Sequence, residues 1–275
     1  MHSSPIEHRG RVVKTQILAA APRDRAWGAW TDPDRLSGWF TDRVKGRAER
    51  GATFTWIFDR FRSEFPYEVV EAVPPERLIL RGAPPGRPPY VLEVVLEPTE
   101  EGTLISVINS GFSVGTENDE EFEGVRSGWK MALSILKEYL EHHDDEAKTI
   151  FFAMQPAAFE YSEIQPYFRE PAGLAAWLTR SGGIGEEGER YEVVLRDGAL
   201  MSGRVLCSTG REVALSWDEL HGVIELKAFS LGPRTRAVCV RGLGWELGEE
   251  AAQLIETSMA AAIDRLVAAL TARKG

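Results

Sequence analysis

The chain has 275 residues, 43% hydrophobic and 27% charged, a globular composition that excludes disorder and favours two domains over one. Its 42 acidic against 32 basic residues give a net charge of -10, which excludes duplex nucleic acid as a natural partner, because that binding needs a basic surface. Cys207 and Cys239 sit singly, in no CxxC or Cys/His cluster, so free buried thiols in a reducing cytosol are expected rather than a disulfide framework.

Residues 1–5 lack the basic-then-apolar order of a signal peptide, and no apolar run approaches the ~20 residues of a membrane span. A cytoplasmic protein is therefore expected. Arg11 to Ala20 reads as a strand, after which Pro22 suits a first helical position and Ala26, Trp27 and Trp30 take helical spacing. Asp32-Pro33 is an N-cap followed by Pro at N1, opening a short helix through Trp39. Phe54, Trp56 and Phe58 then alternate with Thr53 and Thr55, as on a half-buried strand. Tyr67 to Val73, Pro74-Pro75 and Leu78 to Leu80 predict strand, turn and strand. Val91 to Leu96, the turn at 98–102 and Leu104 to Asn109 predict a hairpin. Phe122, Val125, Trp129, Leu133, Leu136 and Leu140 trace one face of a long helix.

The pattern then recurs. Residues 30–42 lie over 168–180 at an offset of 138, keeping Pro, Leu, Trp and Thr in place. Val91 to Val107 lies over Val223 to Cys239 at 132, and Leu133, Leu136 and Leu140 over Ile263, Leu266 and Leu270 at 130. Three matches in one order predict a tandem duplication. The domains are expected at 1–143 and 147–275, with 144–146 as a linker. The polar run 142–146 reads as solvated chain, since adjacent histidines with no fixed geometry are poor metal ligands. Ser181-Gly182-Gly183-Ile184-Gly185 follows a helix rather than a strand, and so reads as a turn, not a phosphate loop.

The order β, α, α, antiparallel strands, long amphipathic helix predicts an α+β fold in each repeat, a curved antiparallel sheet gripping the C-terminal helix. Ala21 to Trp27, Trp39-Phe40, Glu68 to Leu78, Asn109-Ser110-Gly111-Phe112 and Trp129 through Glu141 resemble the helix-grip fold of the START-like, or SRPBCC, superfamily. Within it they are similar to the branch named after the activator of heat-shock protein 90 ATPase. The resemblance covers about 11–142 well, and reaches 149–272 mainly through the internal repeat.

The superfamily commonly encloses small apolar or amphipathic molecules, so the resemblance implies a ligand cavity in the first domain. Candidate lining residues are Trp39, Phe54, Trp56, Phe58, Tyr67, Trp129 and Leu133, with Glu68 and Asn109 as polar groups; plain core packing is the alternative for each. Neither a Gly-x-Ser-x-Gly elbow nor a histidine in the strands of the first repeat supports a hydrolase, and the five histidines have no metal spacing. No catalytic residue, metal or cofactor is assigned. The leading expectation is non-catalytic ligand binding by the first domain, with the second, smaller-residue copy mainly structural or docking. An enzyme of the polyketide cyclase or aromatase type and a co-chaperone of the heat-shock protein 90 ATPase are the alternatives. The co-chaperone reading is weakened because the activator proper carries a further N-terminal domain before this one. Leu104 and Ile108, set against Ile105 and Val107, make both faces of one strand apolar, which suits cover by the other domain, a homodimer mate or another protein partner, an ordinary scatter of exposed apolar residues being the alternative.

Overall fold

The computed structural model describes residues 8–83, 89–113, 115, 119–232 and 235–273. The chain splits into two compact units, Met1–Asp145 and Glu146–Gly275.

In the first unit β1 (Arg11–Ala19) leads into α1 (Arg23–Thr31) and α2 (Pro33–Trp39). There follow β2 (Arg43–Gly46), β3 (Thr53–Phe58), β4 (Ser63–Val73), β5 (Arg77–Gly82), β6 (Tyr90–Thr99) and β7 (Gly102–Phe112), and then the long α3 (Asp119–Glu138). The seven strands pair in the order β1-β7-β6-β5-β4-β3-β2, with every neighbour antiparallel. A meander from β2 to β7 thus receives β1 on its last edge. Asp32 caps α2 as expected, its carboxylate accepting from the backbone N–H of Asp34 and Arg35. Trp129, Leu133 and Leu136 of α3 are buried, and Lys137 donates to the Leu18 carbonyl of β1 at 2.8 Å. The helix is therefore tied along the sheet edge while its apolar stripe covers the inner face.

The second unit repeats the plan: β8 (Thr149–Ala157), α4 (Tyr161–Arg169), α5 (Pro171–Trp177), β9 (Thr179–Gly183), β10 (Arg190–Leu195), β11 (Leu200–Ser208), β12 (Glu212–Trp217), β13 (Gly222–Gly232), β14 (Thr235–Gly244) and α6 (Glu249–Ala272). Its sheet order, β8-β14-β13-β12-β11-β10-β9, is that of the first unit strand for strand.

Pro156 lies inside β8, where an edge strand tolerates it, and α4 starts at the capping box of Glu160 and Glu163. Three sequence expectations change here. Ser181 to Gly183 is no turn but part of the edge strand β9, paired with β10. The offset of 132 holds for β6 over β13 but becomes 133 for β7 over β14, because Leu96 pairs with Ile105 and Ala228 with Val238. Val107 therefore corresponds to Val240 and not to Cys239, a one-residue slip that changes the face of the sheet. The run 142–146 is only partly solvated, with His142 and Asp145 exposed. His143 is buried in a π-turn, Tyr139–His143, and the Asp144 side chain is fully buried against Arg25 of α1. Asp145 pairs with Arg35 of α2 at 2.7 Å.

Candidate functional site

The inner face of the first unit carries a connected set of aromatic rings. Trp39, at the end of α2, meets Trp30 of α1 edge-on at 5.2 Å, and its indole donates to the Ala29 carbonyl at 2.8 Å. Phe40 stacks on Trp39 at 4.9 Å and on Trp129 of α3 at 5.7 Å. It also meets Trp56 and Phe58 of β3 edge-on, each at 5.4 Å. Phe58 passes the contact to Phe65 at 5.8 Å, and Phe65 is 40% exposed. On the other side Trp56 meets Tyr67 at 4.7 Å and Tyr67 meets Tyr90 at 5.8 Å. The rings form a ladder from the sealed base at Trp30 and Trp39 to an exposed rim at Phe65. Offset and edge-on pairs of this kind add stability beyond the area they bury.

Of the residues singled out from sequence, Trp39, Trp56, Phe58, Tyr67 and Trp129 belong to this ladder, and Asn109 adjoins it. Asn109 accepts from the Trp129 indole at 3.2 Å and donates to the Val91 carbonyl at 3.0 Å, so both ends of its amide are engaged. Phe54 and Leu133 are fully buried. Trp39 is also sealed, and its hydrogen bond across the α1–α2 corner makes it a structural pin. Glu68 is misplaced by the sequence reading: it projects from the opposite face, exposed, and pairs with Arg81 across the β4–β5 ladder at 3.2 Å. The alternation of β4 puts Tyr67 and Val69 inside and Glu68 outside.

Three ladder residues escaped the sequence reading: Trp30, Phe40 and Tyr90. Helical spacing had marked Trp30 as apolar, but only the fold sets it against α3 and β3.

The polar accounting of the ladder is uneven. Trp39 and Trp129 have acceptors, whereas the buried indole N–H groups of Trp30 and Trp56 have no hydrogen-bond partner. Leaving a buried donor unpaired costs about 1–3 kcal/mol. Burial raises the Tyr67 hydroxyl well above its usual range, with the neighbouring Tyr90 adding to the rise, and burial likewise raises Tyr90. Both phenols stay neutral at physiological pH. No carboxylate or histidine joins the ladder among the contacts of the described residues, so it holds no acid–base pair.

A Ser–His–Glu chain does exist on the other side of the sheet. His8 bonds Ser110 at 2.9 Å and Glu93 at 2.7 Å. Ser110 is only 1% exposed and Glu93 4%, which denies a substrate access to the hydroxyl; the chain anchors the segment before β1. The outer face of β7 is thus part polar, with Ser106 and Ser110 alternating with Leu104 and Ile108. No group of three or more metal-ligating side chains occurs among the described residues. No helix among them is long and apolar enough to cross a membrane.

A curved antiparallel sheet over a long C-terminal helix, with two short helices between its first two strands, is the helix-grip arrangement of the START-like superfamily. Residues 20–141 match the family described as activator of Hsp90 ATPase homolog 1-like protein. That match lies within the first unit and takes in less than half of the chain. No curated protein matches the chain. Among solved structures, a protein from Mesorhizobium loti is 22% identical, with 49% of this chain and 99% of that one covered and a TM-score of 0.44. The Aha1 dimer from Colwellia psychrerythraea is 21% identical over 48% of this chain and 96% of its own, with a TM-score of 0.43. A protein of the dynemicin biosynthetic locus is 18% identical and covers 94% of this chain and 98% of its own, also with a TM-score of 0.43.

Proposed function

We propose that the first unit is a non-catalytic binding module for a small, flat, apolar or amphipathic molecule, and that the second unit is mainly structural or docking. The carrying observation is the ring ladder that runs without interruption from buried Trp30 to exposed Phe65. Apolar sites with a few placed polar groups are the usual form of small-molecule pockets. Phe40 sits between Trp56 and Trp129, stacked on one and edge-on to the other. A planar ligand gains the same two contacts by sliding in beside this half-buried ring or by displacing it. A slot of this kind selects flat molecules over branched ones.

A cyclase or aromatase would need a positioned acid or base within reach of its substrate, and the ladder supplies neutral phenols and indoles. The co-chaperone reading rests on the family description alone. Native mass spectrometry of the freshly purified full chain tests the binding reading, together with titration by a planar hydrophobic fluorophore such as 1-anilinonaphthalene-8-sulfonate. A retained small molecule, or saturable one-to-one binding weakened by Trp129→Ala, is expected. A ligand-free protein with no saturable binding overturns the reading, and stimulation of the heat-shock protein 90 ATPase by such a protein would replace it.

A further inference from the structure

We infer that the ligand of the first unit is an uncharged planar molecule bearing a hydrogen-bond acceptor, such as a conjugated ketone, and that the Trp30 and Trp56 indoles select it; this rests on the binding reading above. The inference comes from which polar groups in the ladder are spent. Asn109 brings the one side-chain amide, and its oxygen is taken by Trp129 and its nitrogen by Val91. Trp39 is committed to Ala29, and the Tyr67 ring lies edge-on against Tyr90. What remains is a surplus of donors: Trp30 is fully buried and Trp56 is 2% exposed, and neither N–H has an acceptor.

Buried indole N–H groups ordinarily find a partner, and the same unit obeys that rule at Trp39 and Trp129. The two exceptions are neighbours, with ring centroids 6.4 Å apart. Both touch the rings that flank Phe40: Trp30 meets Trp129 at 6.0 Å and Trp56 meets Phe40 itself at 5.4 Å. Indole is a donor only, so the complementary group must be an acceptor. Among the described residues, no cationic side chain enters the ring contacts and hydrogen bonds set out above, so a carboxylate or phosphate would meet no counter-charge from those groups, at a large desolvation cost. A neutral carbonyl on a flat conjugated frame meets both conditions, stacking on the rings while its oxygen answers the free donors.

The test uses the full chain and three probes of one shape: fluorenone, fluorene and fluorene-2-carboxylate. Calorimetric titration is expected to place fluorenone about tenfold tighter than fluorene, the scale on which a site built to hydrogen-bond a group rejects its absence, and the carboxylate weakest. Trp56→Phe keeps a ring in the wall and removes the donor. It should abolish the preference for fluorenone while leaving fluorene within about twofold. In the wild-type chain, independently of any variant, the Trp30 and Trp56 indole N–H resonances should shift on adding fluorenone and stay put with fluorene. Failure of all three probes to bind overturns the binding reading itself. Binding with equal affinities, or a ketone preference that survives Trp56→Phe with unmoved indole resonances, leaves a binding module but overturns the donor assignment. Tightest binding of the carboxylate overturns the neutral-ligand assignment.

Discussion

The two units share a scaffold and differ where the first unit keeps its ring ladder. The α-helical corner is the same in both: Trp177 donates to the Tyr167 carbonyl at 2.8 Å, as Trp39 does to Ala29 at 2.8 Å. Beyond that pin the second unit replaces several rings of the ladder with smaller residues. Matching registers put Val193 in place of Trp56 and Gly203 in place of Tyr67; the helix offset puts Met259 in place of Trp129. Most telling is the exchange at β1–β7 and β8–β14. Val13 faces Asn109 in the first unit, whereas Phe151 faces Gly242 in the second. A Cβ on Gly242 would lie 1.8 Å from the Phe151 ring. The space that Asn109 and Trp129 organise with a hydrogen bond is filled in the second unit by a phenyl ring lying on bare backbone. A duplicated fold thus keeps its corner and sheet while its interior changes from a polar-edged ring ladder to a continuous hydrophobic core.

The harshest way to break that contrast is to impose the first unit's residue on the second. Gly242→Asn drives a side chain into Phe151, and overpacking of this severity should cost about 3 kcal/mol or more. The companion Phe151→Val, which restores the pair found in the first unit, should recover most of the loss. Hydrogen exchange at β8 and β14 amides, against an unchanged first unit, reads both effects. A Gly242→Asn variant as stable as the parent would show that Phe151 has room to move, and the packed-core description of this unit would fail.

The units also differ in charge on the opposite face of the sheet. Glu225 is 1% exposed; against the penalty of burial, Lys227 and Arg241 hold its carboxyl down to about 2. Burial pushes its neighbour Glu212 up to about 7, and one of that carboxylate's oxygens has no hydrogen-bond partner. The consequences have opposite signs. Glu212 keeps its proton in the folded state where the unfolded chain has lost it, so its contribution to stability falls as pH rises from about 4.5 to about 7 and is level above. Glu225 contributes above its ordinary 4.5, and that contribution is lost as pH falls towards 2. Glu212→Gln is therefore expected to raise stability at pH 8 by up to about 3 kcal/mol and to change little at pH 4. Urea midpoints followed through second-unit amides at the two pH values check it, and a variant less stable than its parent at pH 8 would refute it.

A smaller effect should be equal in the two units. Trp39→Phe and Trp177→Phe each strand a buried carbonyl, of Ala29 and Tyr167 respectively, and remove part of a packed ring. A loss of about 2 kcal/mol in each is expected. Unequal losses, read by exchange at α1–α2 and α4–α5 amides, would mean that the shared corner is not energetically the same device.

How far this was legible in the sequence depends on which kind of signal carried it. Local chemistry was readable: Asp32-Pro33 specifies the start of α2 by itself, and the spacing from Trp129 to Leu140 specifies the buried stripe of α3. Period-two alternation placed Phe54 and Trp56 on the inner face. It failed for Glu68, because one polar residue among valines does not say which face is buried until the neighbouring strand fixes the register. The repeat was readable at α2 and α5, where no insertion intervenes. It slipped by one at β14, because the hairpin there carries one residue more between paired positions and period-two patterning tolerates the slip. The 142–146 run looked solvated by composition alone; Arg25 and Arg35, more than 100 residues earlier, bury the Asp144 side chain and pair with Asp145, which stays exposed. Ring contacts such as Phe40 with Trp129 are of the same long-range kind.

The mildest test concerns the rim. Phe65 pairs with Trp56 across β3–β4 and is 40% exposed, while Met201 pairs with Val193 across β10–β11 and is 1% exposed. The same register position is thus an open edge in one unit and sealed core in the other. An exposed aromatic contributes little to folding, so Phe65→Ser should move stability by no more than about 0.5 kcal/mol. It removes the outermost rung of the ladder, and binding of a planar probe should weaken a few-fold through faster dissociation. Met201→Ser removes buried apolar volume and adds a hydroxyl to the core, so it should cost about 2–4 kcal/mol with no effect on probe affinity. Thermal melts and stopped-flow dissociation of the two variants separate the roles. A Phe65→Ser protein that loses stability but binds as before would make the rim a packing element and would remove the exposed end on which the binding reading depends.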